Sequence, residues 1–219
     1  MFKYILFDLD GTLFDPYEGI VNCVKYALNS IGIEENDAQK LKDTIGPPLR
    51  KTFANYTDDA DKIEFLVAKY RELYKVSGIH QVKMYDGVVE TLKTLKENGC
   101  VLSIASCKPA ELNEIILTEH GIRKYFDFVS GATFDKRRDT KEEVIAYAIE
   151  NLEIKGEKLD ETIMLGDRDM DILGAHKHGI KAIGTLYGYG KESELANTKA
   201  DYLVNSPKEI CSKILSFKE

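Results

Sequence analysis

From Asp86 to Val204 the chain switches repeatedly between a helical and an extended hydrophobic pattern, with only a few residues between segments. "DGVVETLKTLKENG" leads into the apolar run "CVLSIAS" (Cys100 to Ser106), and "PAELNEIILTEHG" into "FDFVSG". "TKEEVIAYAIENL" leads into "TIMLGD", and "DILGAHKHG" into "KAIGTL". "ADYLV" and a helix from Pro207 to about Phe217 complete the series. Strands separated by helices cannot close as hairpins; they pair in parallel, with the helices packed over both faces of the sheet. Lys3 to Phe7 adds one more buried strand at the start of the chain, ending at Asp8.

Residues 15–82 interrupt this alternation and carry helical patterns only. Asp15-Pro16 predicts an N-cap with proline at the first helical position, and Glu18 is placed to close a capping box. Ile20, Val21, Val24, Ala27, Leu28 and Ile31 then recur at helical spacing, with Gly32 to end the helix. Leu41 and Ile45 begin a shorter helix stopped by "GPPL". A third runs over "DKIEFLVAKYRELYKV" with an apolar stripe of Ile63, Leu66, Val67, Tyr70, Leu73 and Tyr74. The expected fold is α/β: a core of residues 1–14 and 83–219, with a small all-α domain, 15–82, inserted after the first strand. A chain of 219 residues is long enough for both.

The charge balance narrows the partners. A formal net charge of −7 argues against a nucleic acid polymer, which needs basic surface. A small anionic substrate remains open if positive charge is concentrated at one site. Cys23, Cys100, Cys107 and Cys211 are far apart and form no CxxC pair, which suits a reducing cytoplasm rather than a disulfide framework. Tyr4 to Phe7 is too short for a secretory leader and no stretch is long enough to span a membrane, so a cytoplasmic monomer or weak dimer is expected.

Ligands of open parallel sheets bind beyond the carboxyl ends of the strands, where the strand order switches. Three strand ends carry chemistry here: Asp8 and Asp10, Ser106, and Gly166-Asp167. If those strands are neighbours, their carboxylates repel and raise one another's pKa values. A hard divalent cation relieves this, and clustered carboxylate oxygens suit Mg²⁺.

"DLDGT" (Asp8 to Thr12), Ser106, Lys141 and "GDRDMD" (Gly166 to Asp171) resemble, in order, the four motifs of the haloacid dehalogenase-like phosphatase superfamily. The helical insert resembles that superfamily's small α-helical cap. "GPPL" and "ADYLV" look most like its phosphoglycolate phosphatase and 5′-nucleotidase-like branch. The resemblance implies a Rossmann-like core and Mg²⁺-dependent hydrolysis of a small phosphorylated metabolite, phosphoglycolate or a nucleoside 5′-monophosphate, through an aspartyl phosphate. Asp8 would be the nucleophile, and Asp10 the acid for the leaving alcohol and then the base for water. Gly11 and Thr12 would shape the loop around the substrate. Ser106 would bind the phosphoryl group, with Cys107 beside it where the family usually has asparagine. Lys141 would offset negative charge, and Asp8, Asp10, Asp167 and Asp171 would form the metal site, Asp171 holding water or Lys141.

Plainer readings stand beside these. A DG pair also makes ordinary turns, a serine at a strand end is usually a turn former, and Lys141 has basic neighbours in Lys136, Arg137 and Arg138. "DRDMD" also mimics an EF-hand opening, but Ile172 and His178 occupy the positions that need glycine and glutamate. His176 and His178 read as helix-face residues. A dehalogenase or phosphonatase would not need Asp10. A sugar phosphomutase of the β-phosphoglucomutase kind would keep every motif, whereas the intact set of catalytic groups argues against a metabolite-binding protein that kept only the fold. For the substrate's far end the insert offers Arg50 and Lys51 after "GPPL", and Tyr17, Phe53 and Tyr56 as an aromatic wall.

Overall fold

A computed structural model describes residues 2–135 and 137–216. The chain divides into two compact units, Met1–Asp15 with Met84–Glu219, and Pro16–Lys83. The larger unit contains the strands β1 (Tyr4–Phe7), β4 (Val101–Pro109), β5 (Phe128–Ala132), β6 (Thr162–Gly166), β7 (Lys181–Thr185) and β8 (Tyr202–Val204). They form one six-stranded sheet in the order β5-β4-β1-β6-β7-β8, every pair parallel. Two short strands, β2 (Phe14–Asp15) and β3 (Lys83–Met84), make a separate two-stranded sheet.

The helices of this unit are α5 (Val88–Glu97), α6 (Ala110–Glu119), α7 (Lys141–Asn151), α8 (Asp169–Lys177), α9 (Glu192–Asn197) and α10 (Pro207–Leu215). All four residues of β1 are buried, although their side chains alternate between the two faces. The sheet is therefore covered on both sides, which is why its strands read as unbroken apolar runs. On one side Leu6, Ala105, Met164 and Ala182 of the strands pack with Ile145 and Ala148 of α7, Ile172 and Ala175 of α8, and Leu195 of α9.

The strand order puts β1 between β4 and β6, with Phe7 level with Ile104 on one side and Leu165 on the other. The chain leaves β1 for one half of the sheet and later returns to build the other on its opposite edge. That switch in direction opens a crevice at the carboxyl ends of β1, β4 and β6. Asp8 and Asp167 directly follow β1 and β6, and Ser106 lies within β4, just before the register of its pairing slips.

The smaller unit holds α1 (Tyr17–Asn29), α2 (Ala38–Lys42), α3 (Leu49–Phe53) and α4 (Ala60–Val76). The stripe expected on α4 turns inward, with Leu66, Val67, Tyr70 and Tyr74 buried. Tyr70 and Tyr74 stack at 5.4 Å, and Phe53 meets Tyr70 edge-on at 6.5 Å.

Several boundaries differ from the sequence reading. Pro16 rather than Asp15 is the N-cap of α1, with no side-chain cap and no capping box at Glu18. The Asp15 carboxylate is taken by the Tyr189 hydroxyl instead. The second helix starts at Ala38, not Leu41, because Asp37 caps it by accepting from the N–H groups of Gln39 (2.9 Å) and Lys40 (3.1 Å). "GPPL" ends no helix directly; Pro48 instead occupies the N-cap of the unexpected α3. Helix α9 was also not legible, α8 begins two residues earlier than "DILG", and β4 runs on past Ser106 to Pro109. Phe217, the expected end of the last helix, and Lys136 lie outside the described residues.

Candidate active site

The residues after β1 fold back at once. Asp8 continues the strand by donating its N–H to Leu165 O (2.8 Å), and the Leu13 and Gly11 N–H groups then close on Leu9 O (2.9 Å) and Phe14 O (2.7 Å). Gly11 takes φ +80°, a backbone state that other residues resist, and any Cβ there would collide with the Asp167 carboxylate. The "DG" of the motif is thus required twice, by the turn and by the neighbouring acid. Thr12 is wholly buried beside it.

Lys141 opens α7. Thr140 and Glu143 cap that helix reciprocally, which fixes the first turn and sends the lysine inward. Its ammonium lies 2.7 Å from both Asp8 Oδ1 and Asp171 Oδ1 and donates to Ala105 O (3.0 Å), with 3% of the side chain exposed. Burial alone would lower the Lys141 pKa, but Asp171 and Asp8 outweigh it and hold the ammonium above its usual range. Asp171 is fully engaged: its other oxygen accepts the Arg168 N–H (3.0 Å). Burial pushes its carboxyl up to about 6 despite Lys141. Asp171 therefore serves to hold Lys141.

Asp167 is 1% exposed. Its Oδ2 accepts the Tyr189 N–H (2.7 Å), and its Oδ1 has no hydrogen-bond partner among the described residues. Burial, then the nearby Asp171 and Asp8, raise its carboxyl well above the usual value. Ligand oxygens of Asp8, Asp167 and Asp171 lie within 4.8 Å of one another. Three buried carboxylates facing one buried ammonium leave an excess of negative charge, and one oxygen is open. Those are hard donors, and they fit a divalent cation.

Asp10, expected among the metal ligands, is turned elsewhere. Its carboxylate is outside that group and pairs with Lys108 at 2.8 Å. Lys108 was not singled out from the sequence. Beyond Ser106 the β4–β5 pairing slips, so that Ser106 lies opposite Gly131 but Pro109 opposite Ala132. The extra residues, Cys107 and Lys108, bulge, and Asn113 Nδ2 holds Lys108 O (3.2 Å). Within the bulge the Lys108 N–H reaches Ser106 Oγ at 3.4 Å. The only local signal was a lysine two residues after the strand-end serine. Cys107 stands at the same edge, its thiol pushed up to about 11 by burial.

The turn after β6 is braced by α9, whose Glu194 accepts from Arg168 Nε and from the Asp169 N–H, both at 2.9 Å. The structure thus brings Asp8, Gly11, Thr12, Ser106, Lys141, Asp167 and Asp171 to one sheet edge, with Asp10 joined through Lys108. Arg50 belongs to the smaller unit, where Glu64 of α4 binds its guanidinium through Nε and, at 2.8 Å, Nη2. His176 pairs with Asp201 at 3.0 Å and His178 ends α8, as expected of helix-face residues.

Fold and site together define an α/β enzyme with a buried carboxylate–lysine centre at the topological switch of a parallel sheet. The model of the haloacid dehalogenase-like hydrolase family matches residues 5–185, and the chain belongs to that family. Over 98% of its length and 93% of the relative's, it is 35% identical to a 5′-nucleotidase of Pseudomonas aeruginosa. It is 30% identical to a phosphoglycolate phosphatase of Vibrio parahaemolyticus, over 95% of this chain and 94% of that one. Among solved structures it superposes on a predicted phosphatase from Clostridium acetobutylicum with a TM-score of 0.92 and 41% identity, covering 99% of this chain and all of that one. The helical insertion after the first strand, expected from the sequence, is therefore a shared family feature. No helix among the described residues is long and apolar enough to cross a membrane.

Proposed function

We propose that this chain is a Mg²⁺-dependent phosphomonoesterase acting on a small phosphorylated metabolite, a nucleoside 5′-monophosphate or phosphoglycolate, through an aspartyl phosphate on Asp8. One observation supports this above the rest: the Lys141 ammonium pins Asp8 at 2.7 Å beside Asp167, whose Oδ1 has no hydrogen-bond partner among the described residues. Asp8, with Asp167 as the second ligand, would hold the cation. Bound there, it would neutralise the charge of the phosphoryl oxygens and so let a carboxylate approach a phosphate dianion.

The chain's own groups then have separate tasks. Asp8 attacks phosphorus, forming the acyl phosphate as the bond to the leaving oxygen breaks, and the leaving oxygen takes a proton from Asp10. Burial raises the Asp10 carboxyl, against the pull of Lys108, which favours its holding that proton. In the second half Asp10 removes a proton from water, which attacks phosphorus; the bond to Asp8 breaks, and inorganic phosphate and the free carboxylate result. Ser106 and the backbone of the Cys107–Lys108 bulge supply donors for the phosphoryl oxygens, and Lys141 holds the Asp8 carboxylate in place.

The relatives named for 5′-nucleotides and phosphoglycolate favour those substrates. We assign the helical unit, 16–83, the part of a cap. Within it Phe53 is wholly buried against Tyr70, which takes it out of the aromatic wall, and Arg50, paired with Glu64, stands with Lys51, Tyr17 and Tyr56 as the groups to read the substrate. The test is phosphate release from a panel of phosphomonoesters, with Mg²⁺ and with EDTA. Hydrolysis should need the metal and peak on one of the two classes. A purified, Mg²⁺-loaded protein that releases no phosphate from any ester is not a phosphomonoesterase.

A further inference from the structure

We propose that the loop Tyr187–Gly190, which follows β7, is a clamp that sets the orientation of the Asp167 carboxylate, with Tyr189 as its positioning residue. The proposal rests on the metal reading of Asp8 and Asp167 above.

The loop lies directly on the acid. A Cβ on Gly188 would meet the Asp167 side chain and Gly11 O (2.5 Å), and one on Gly190 would collide with the Asp167 carbonyl. Glycine is needed at both positions because backbone packs where side chains would otherwise be. This approach brings the Tyr189 N–H to Asp167 Oδ2 at 2.7 Å. One carboxylate oxygen is thereby occupied by a fixed donor, and the other, Oδ1, is left as the open one.

The alternating tyrosines pin the loop at two points. The Tyr187 hydroxyl donates to Thr12 O (2.9 Å), and the Tyr189 hydroxyl donates to the Asp15 carboxylate. Tyr85 supports the first pin, edge-on to Tyr187 with ring centres 5.1 Å apart. Burial and the Asp15 carboxylate push the Tyr189 hydroxyl above its usual pKa, so it remains an O–H donor at neutral pH. Both pins end on the segment that begins with Asp8. The loop therefore ties Asp167 to the stretch of chain carrying the other metal-binding carboxylate, and the separation of the two is set through Tyr187 and Tyr189. Partners of metal ligands commonly govern affinity in this way.

The experiment is calorimetric titration of Mg²⁺ into the full-length protein without substrate, alongside kcat at saturating Mg²⁺. Tyr189→Phe removes one hydroxyl and no charge; it should weaken Mg²⁺ binding on the order of tenfold while kcat at saturation stays near wild type. A second comparison does not depend on that variant folding. Asp15→Asn and Asp15→Ala lose the same charge, but only asparagine keeps an oxygen to accept the tyrosine O–H, so Asp15→Ala should bind Mg²⁺ more weakly than Asp15→Asn. Unchanged Mg²⁺ affinity in Tyr189→Phe, a loss confined to kcat, or equal affinities in the two Asp15 variants would each overturn the clamp. A wild-type protein that binds no Mg²⁺ would overturn the metal reading itself, and the wild-type titration shows this separately.

Discussion

The Lys108 ammonium lies 2.8 Å from the Asp10 carboxylate, with only 8% of the lysine side chain exposed. It is delivered there by a two-residue bulge at the end of β4 rather than by any motif. Burial raises the Asp10 carboxyl, and Lys108 pulls it down. Removing the cation must therefore raise Asp10 further. An acid catalyst works below its own pKa, so Lys108→Met should shift the alkaline limb of the kcat/KM profile upward. A limb that stays in place would show that Asp10 is not the acid reported by that profile, or that Lys108 does not govern it.

Lys141→Met should cost stability as well as activity. It leaves Asp8 and Asp171 buried without their cation, and breaking a buried ion pair from one side costs about 3 kcal/mol or more. Urea unfolding should show this loss, and Asp171→Asn in the same chain should recover part of it by removing one stranded charge. A double variant no more stable than Lys141→Met would contradict the pairing.

Mg²⁺ should stabilise the protein more as pH rises. The Asp167 and Asp171 carboxyls are both raised, Asp171 to about 6, so the folded state holds their protons more tightly than the unfolded chain does. In the metal-free protein this contribution to stability is full below about pH 4, the ordinary carboxylate value, and is lost as pH rises through about 6. A cation held by Asp8 and Asp167 would take the Asp167 carboxylate deprotonated, and its charge would also favour the ionised form of the neighbouring Asp171. The gain in Tm on adding Mg²⁺ should be small near pH 5 and larger near pH 8; a gain independent of pH would place the ion elsewhere.

Cys107 should be dispensable. Burial pushes its thiol up to about 11, so almost none is thiolate at neutral pH, and it is a poor nucleophile. Cys107→Ala should lower kcat/KM by no more than about fivefold, one neutral contact's worth. Abolished turnover would move the covalent chemistry from Asp8 to sulfur.

The parallel sheet was legible because β1 and its neighbours are apolar on both faces, and the strand-end residues Asp8, Ser106 and Asp167 were legible once those strands were placed side by side. Lys141 could be found because it begins a well-capped helix before the last motif. What escaped depends on contacts distant in sequence. Lys108 reaches Asp10 through a slip in the pairing of β4 with β5, which no local pattern encodes. Asp15 looks like a helix cap by local rules, yet a tyrosine 174 residues away takes its carboxylate. Arg50, which the sequence offers for an anion, is paired with Glu64, fourteen residues on. In each case the partner lies outside the local pattern that the sequence displays.

The central claim is the covalent bond to Asp8, and it can be tested chemically. An acyl phosphate is reduced by borohydride, whereas a free carboxylate is not. Borohydride added during steady-state turnover, followed by proteolysis and mass spectrometry, should find homoserine at position 8 and nowhere else, and none in protein kept without substrate. A turning-over enzyme whose Asp8 peptide is unreduced, or whose reduction falls on Asp10, would contradict the account.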